Sequence, residues 1–194
     1  MKDRTIYKRD GKKRIMQHYD QYVNSFDFGV ERIYVETSYG KTHVLVAGPP
    51  EGKPVFIFQG GNCINPMTLS WFLPLISQYR VYAPDTIGHP GFSAQSRMKE
   101  VDKNVIGDVF TYLRLEQDMP KLTTKEELKH FNAPVLIIAG EKDIFFPEDR
   151  LRIRAQEIIP NLIECKSYVM GHFPSEEHLV KINQDIEEFL HMYY

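Results

Sequence analysis

Residues 81–110 read "VYAPDTIGHPGFSAQSRMKEVDKNVIGDVF". The segment begins as the end of a short apolar strand. It then turns sharply through Pro84, Gly88, Pro90 and Gly91, the residue types that set tight turns. Beyond Ser96 its character changes: "KEVDKN" has the composition of a solvated loop, and "VIGDVF" of a helix. In an α/β sheet, ligands bind beyond the carboxyl ends of the strands, so a structured turn directly after a strand marks the rim of a site. The residues on the far side of that turn decide which chemistry the rim can perform.

The same grammar extends on both sides. In "PVFIFQGG" (54–61) the run Val55–Phe58 is continuously apolar, which predicts a strand covered on both faces within a parallel sheet. A helix over about Pro66–Gln78 and the strand "RVYAPD" then complete a β-α-β unit. Upstream, "ERIYVETSYGKTHVLVAG" (31–48) predicts a hairpin around Ser38-Tyr39-Gly40, and Ile15, Met16, Tyr19, Val23 and Phe26 recur on one face of a short packing helix. Downstream, "APVLIIAGEKD" (133–143) is a strand breaking at Gly140, "EDRLRIRAQEII" is helical, and "LIECKSYVMGH" (162–172) is a strand running into a loop. The closing helix places Leu179, Ile182, Ile186, Phe189 and Leu190 along one stripe, with Ser175 as its N-cap. The pattern predicts an α/β fold: a mostly parallel sheet with an N-terminal antiparallel hairpin and helices on both faces, in a single domain over 1–194.

Composition narrows the partners. The 194 residues carry 24 Lys and Arg against 26 Asp and Glu, for a formal net charge of −2, and no basic block stands out, so nucleic acid is not expected. The basic start "MKDRTIYKRDGKKR" leads into no apolar core of a signal, and no run approaches membrane-spanning length, so a cytoplasmic protein without a membrane partner is expected. Cys63 and Cys165 lack C-x-x-C spacing and suggest neither a disulfide framework nor a zinc site. Oligomeric state is not legible.

Four strand ends carry the residues of interest: Gln59-Gly60-Gly61-Asn62, the 84–93 turn, Glu141-Lys142-Asp143 and Gly171-His172. In order and spacing these resemble the α/β-hydrolase superfamily, of the lid-containing carboxylesterase kind, over nearly the whole chain except its middle. The resemblance implies an oxyanion hole at Gly61, with Asn62 beside it, because a bare glycine backbone approaches a substrate oxygen closely. Gln59 departs from the histidine that more often precedes the first glycine of that motif. The resemblance also implies that Asp143 orients the catalytic imidazole and that His172 is the general base. A carboxylate fixes the ring's tautomer and stabilises its protonated form. It implies no metal and no organic cofactor, and gives "DTIGHPGFS" the task of shaping the site.

The nucleophile is missing. No G-x-S-x-G elbow, nor its Cys or Asp form, occurs anywhere in the chain. About forty residues stand where the family places two β-α units and a lid, and one βαβ unit alone takes roughly 30. Residues of about 97–130 read as the remnant of the lid region, with a junction between Ser96 and Asn104. Removing two strands would leave the flanking strands roughly 14 Å apart, with unpaired apolar edges. A longer parent polypeptide could carry the segment, the sheet could reclose with 54–58 beside 135–140, or a partner could fill the slot.

Other residues have plainer readings. Cys63 lacks an elbow, Ser93 reads as a turn residue, and His43 and His89 as structural or exposed. The expected parent function is hydrolysis of a small uncharged substrate, most simply a carboxylic ester, by a Ser-His-Asp mechanism. The chain as written is expected to be inactive. The alternative is a non-catalytic member of the fold that binds a small ligand or a protein partner. An elbow carrying Asp or Cys would instead imply dehalogenase- or dienelactone-hydrolase-like chemistry.

Overall fold

A computed structural model of the chain describes residue 7 and residues 11–60, 63–95 and 123–194. The chain divides into two compact units, Met1–Val105 and Ile106–Tyr194, each with its own sheet.

In the first unit, helix α1 (Gly11–Asn24) precedes the hairpin of β1 (Glu31–Thr37) and β2 (Gly40–Ala47). The hairpin turns where the sequence predicts: Thr37 pairs with Gly40, whose φ of +126° lies in a region that other residues rarely adopt. Next come β3 (Lys53–Phe56), the short helix α2 (Asn65–Ser70), a 3-10 turn (Leu73–Ser77) and β4 (Tyr79–Pro84). The sheet order is β1-β2-β4-β3, antiparallel across β1-β2 and β2-β4 and parallel across β4-β3. The core is built on β2 and β4, where Leu45, Val46, Val81 and Ala83 are buried, together with Leu69, Leu75 and Tyr19.

The structure corrects two local expectations. β2, not β3, is the strand enclosed on both faces: His43 through Ala47 are consecutively buried. β3 is the outer strand of its sheet; Phe56 within it is 61 % exposed and Phe58 just beyond it 66 %. The helix expected over Pro66–Gln78 is broken at Trp71 and Phe72. Pro74 has no N–H for an α-helical ladder and disfavours the α conformation in the residue before it, so the chain resumes only as a 3-10 turn.

In the second unit, helix α3 (Lys125–Leu128) opens with a capping box in which Thr124 and Glu127 satisfy each other's backbone N–H. The strands β5 (Val135–Gly140) and β6 (Leu162–Tyr168) are parallel and joined by α4 (Glu148–Ile158). Arg152 holds α4 to β6, donating to Glu148 at 2.6 Å and to the Cys165 carbonyl at 2.9 Å. Helix α5 (Glu176–Tyr193) starts at Ser175, whose hydroxyl accepts from the His178 N–H, and Ile182 is buried on its apolar stripe. Asp185 ties the helix to β6 by accepting from Lys166 at 2.6 Å and from Tyr168.

The strands at 53–56 and 135–140 lie in different sheets, so the reclosed arrangement is not formed. The junction at 96–104 and most of the 97–130 lid remnant lie outside the described residues.

Candidate functional site

Asp143 and His172 are 29 positions apart in the chain and meet in space. β5 and β6 are parallel, so both strands end on the same side of their sheet, and the loop after each begins there. Pairing continues past the strands: the Glu141 N–H donates to the Tyr168 carbonyl at 2.9 Å, and the Lys142 N–H to the Met170 carbonyl at 2.9 Å. This brings the backbones so close that a β-carbon on Gly140 would sit 2.6 Å from the Gly171 carbonyl oxygen. Glycine is required there because any side chain would push the histidine loop away. The outcome is a hydrogen bond of 3.0 Å between His172 Nδ1 and Asp143 Oδ2.

The carboxylate is held on both sides. Oδ1 accepts from the Phe145 N–H at 2.8 Å and the Phe146 N–H at 3.1 Å, while Oδ2 faces the imidazole. Asp143 is only 10 % exposed, whereas His172 is 37 % exposed. Burial pushes the carboxyl up, but the His172 hydrogen bond and the two backbone N–H groups outweigh it and hold Asp143 below the ordinary aspartate value. An ionised carboxylate accepts only, so it selects the tautomer with the proton on Nδ1 and leaves Nε2 as the nitrogen able to take and return a proton.

A lowered carboxyl pKa fixes the sign of a stability effect. Its contribution is complete above the unfolded aspartate value and is lost as pH falls through the folded one. Asp143→Asn should therefore lower the urea midpoint, followed through the amide signals of β5 and β6, near neutrality. The gap to the unaltered protein should close on acidification, and a gap that widens with acid would contradict the assignment.

The glycine-bearing turns lie in the first unit. Gly61 and Asn62, the expected oxyanion residues, lie outside the described residues. Their neighbour Gln59 is nearly buried, and its amide joins two loops: Nε2 donates to the Cys63 carbonyl at 2.8 Å and the Pro90 carbonyl at 3.2 Å, and Oε1 accepts from the Thr86 N–H at 3.0 Å. The departure at position 59 thus supplies a staple between the 59–63 turn and the 84–93 turn. A carboxamide can do this with donor and acceptor at once.

A second histidine–aspartate pair stands behind that staple, unanticipated from the sequence. Asp85, fully buried, accepts from the Tyr19 hydroxyl at 2.9 Å and the Phe92 N–H at 2.7 Å, and its Oδ2 lies 3.0 Å from Nδ1 of the fully buried His43. Ser93 completes the knot, its hydroxyl donating to the Asp85 carbonyl at 2.7 Å and accepting from the His43 N–H at 2.8 Å. With no side-chain exposure on either member, this pair cannot meet a substrate; it anchors the 84–93 turn to α1 and β2. Ser93, spent in that knot, is no nucleophile. Burial pushes the Cys63 thiol up, opposite to what an activated cysteine needs. Among the described residues no group of three or more His, Cys, Asp or Glu could hold a metal ion, and no helix is long and apolar enough to cross a membrane.

No family model matches the chain. Over 106 residues it is 33 % identical to carboxylesterase YbfK of Bacillus subtilis, a match covering 53 % of this chain and 36 % of that protein. Over 114 residues it is 27 % identical to the uncharacterized carboxylesterase nap of the same organism, covering 54 % and 36 %. The matched stretch thus spans about a third of the length of either curated relative. Among solved structures, the crystal structure of carboxylesterase CesB (YbfK) from Bacillus subtilis superposes with a TM-score of 0.75 at 21 % identity, covering 92 % of this chain and 98 % of that one. At that identity the likeness is one of fold.

Proposed function

We propose, the chain being a carboxylesterase-like α/β-hydrolase, that it carries the base-and-orienter half of a serine-type ester hydrolase. The observation that carries this reading is the 3.0 Å hydrogen bond between His172 Nδ1 and a carboxylate already fixed by two backbone N–H groups. In the complete mechanism an elbow serine attacks the ester carbonyl. His172 Nε2 takes its proton and later returns it to the leaving oxygen, Asp143 orients the ring, and N–H groups about Gly61 and Asn62 receive the oxyanion. The substrate is a small uncharged ester, and the chemistry calls for no metal or organic cofactor. We place the protein in the cytoplasm and read both units as parts of one hydrolase domain, with the lid remnant over about 97–130.

The serine belongs to a segment that this sequence does not contain. The 194-residue chain should therefore hydrolyse a p-nitrophenyl ester no faster than buffer does, and turnover abolished by His172→Ala would refute this. The absent elbow also supports a second reading, a non-catalytic member of the fold that binds a small ligand or a protein partner. Intact mass discriminates between the two: a native protein clearly heavier than 22.7 kDa would restore the missing segment and favour the enzyme.

A further inference from the structure

Three aromatic rings contact His172. Phe145 and Phe173 meet the imidazole edge-on at centroid distances of 5.1 and 5.0 Å, and Phe146 stacks on it at 5.8 Å with an interplanar angle of 29°. These rings do not close into a core: Phe145 is 61 %, Phe146 42 % and Phe173 63 % exposed. Ile144 and Val169, on the same two loops, are exposed as well. Asp143, on the same loop as Phe145, has both oxygens occupied by His172 and by backbone N–H groups.

Resting on the reading of His172 as the general base, the chemistry says which half of an ester meets this collar. When the tetrahedral intermediate collapses, the C–O bond breaks, its electron pair goes to the departing oxygen, and that oxygen takes the proton from Nε2. The departing alcohol therefore lies against whatever surrounds the imidazole, while the acyl oxygen lies at the oxyanion donors. We propose that Phe145, Phe146 and Phe173 form the alcohol subsite and select esters of apolar, preferably aromatic, alcohols over esters of polyols. Exposed aromatic rings beside the imidazole favour edge-on and offset contacts with an aryl group.

The test uses the 194-residue chain, which needs no turnover to bind an alcohol. Imidazole carbon–proton NMR signals of His172 are followed while benzyl alcohol or, separately, glycerol is added. The expected result is a saturable shift with benzyl alcohol, none with glycerol, and about fivefold weaker binding in Phe173→Ala, as loss of one aromatic contact implies. Phe173 is exposed, so its removal leaves the fold intact, and Phe145→Ala gives an independent second variant. Equal responses to the two alcohols, or benzyl alcohol binding unchanged in both variants, would overturn the subsite. Such a failure leaves the hydrolase reading standing, because that reading rests on the Asp143 bond and not on the collar; loss of the Asp143 bond with the alcohol response intact would be the reverse case.

Discussion

Replacing Asp85 with alanine should cost the first unit at least about 3 kcal/mol, since three groups lose a hydrogen-bond partner at about 1–3 kcal/mol each. The reason lies in what is left behind. Tyr19, His43 and the Phe92 N–H all address this one carboxylate, and Tyr19 and His43 are fully buried. Each orphaned donor keeps its full desolvation penalty. Against the about 5–15 kcal/mol that a typical domain has in total, such a loss shifts much of the population toward unfolding. The sole tryptophan, Trp71, lies in the same unit, so urea unfolding followed by its fluorescence measures the effect directly. Tyr19→Phe removes a single hydrogen bond to Asp85 and should cost less, about 1–3 kcal/mol. An Asp85→Ala midpoint indistinguishable from that of the unaltered chain would remove the anchoring role argued for this cluster.

The largest catalytic effect is expected once a nucleophile is present. A version of the chain lengthened between Ser96 and Asn104 by two β-α units, the first carrying a G-x-S-x-G elbow, and by a lid should hydrolyse p-nitrophenyl esters. In that background His172→Ala should lower kcat by about 10⁶-fold, since base and nucleophile act as one unit and the loss of either is as severe as the loss of both. Asp143→Asn should cost about 10⁴-fold with KM little changed, because the carboxylate selects the tautomer and not the substrate. Equal activity in the lengthened protein with and without His172 would place the base elsewhere.

How far the sequence can be read differs by element, for physical reasons. Strand ends are legible because apolar runs stop abruptly at Gly140 and before Gly171-His172, and a parallel pair must bring those ends to one side. The hairpin turn and the Ser175 cap are legible because φ > 0 at Gly40 and a hydroxyl before two acids are local signals. The exposure of β3 is not, since "VFIF" reads the same whether or not another strand lies beside it. Covering a strand is a property of its neighbours, not of its residues. The Tyr19–Asp85–His43 knot is hidden for a related reason: its members stand 24 to 66 positions apart, on a helix, a strand and a turn, and no periodicity links them. The only hint lies in Asp85 itself, a carboxylate directly after an apolar strand, which by sequence is one more residue of a turn that shapes the site. Gln59 stands out as a departure, but the two loops it joins become visible only in three dimensions.

The hydrogen bond from His172 to Asp143 underlies both the proposed chemistry and the alcohol subsite, and nitrogen-15 NMR of the His172 ring probes it most directly. In its neutral form the ring should show a protonated, hydrogen-bonded Nδ1 and an unprotonated Nε2, and Asp143→Ala should abolish that preference. A ring with its proton on Nε2, or one whose nitrogen shifts are the same with and without the Asp143 carboxylate, would contradict the account.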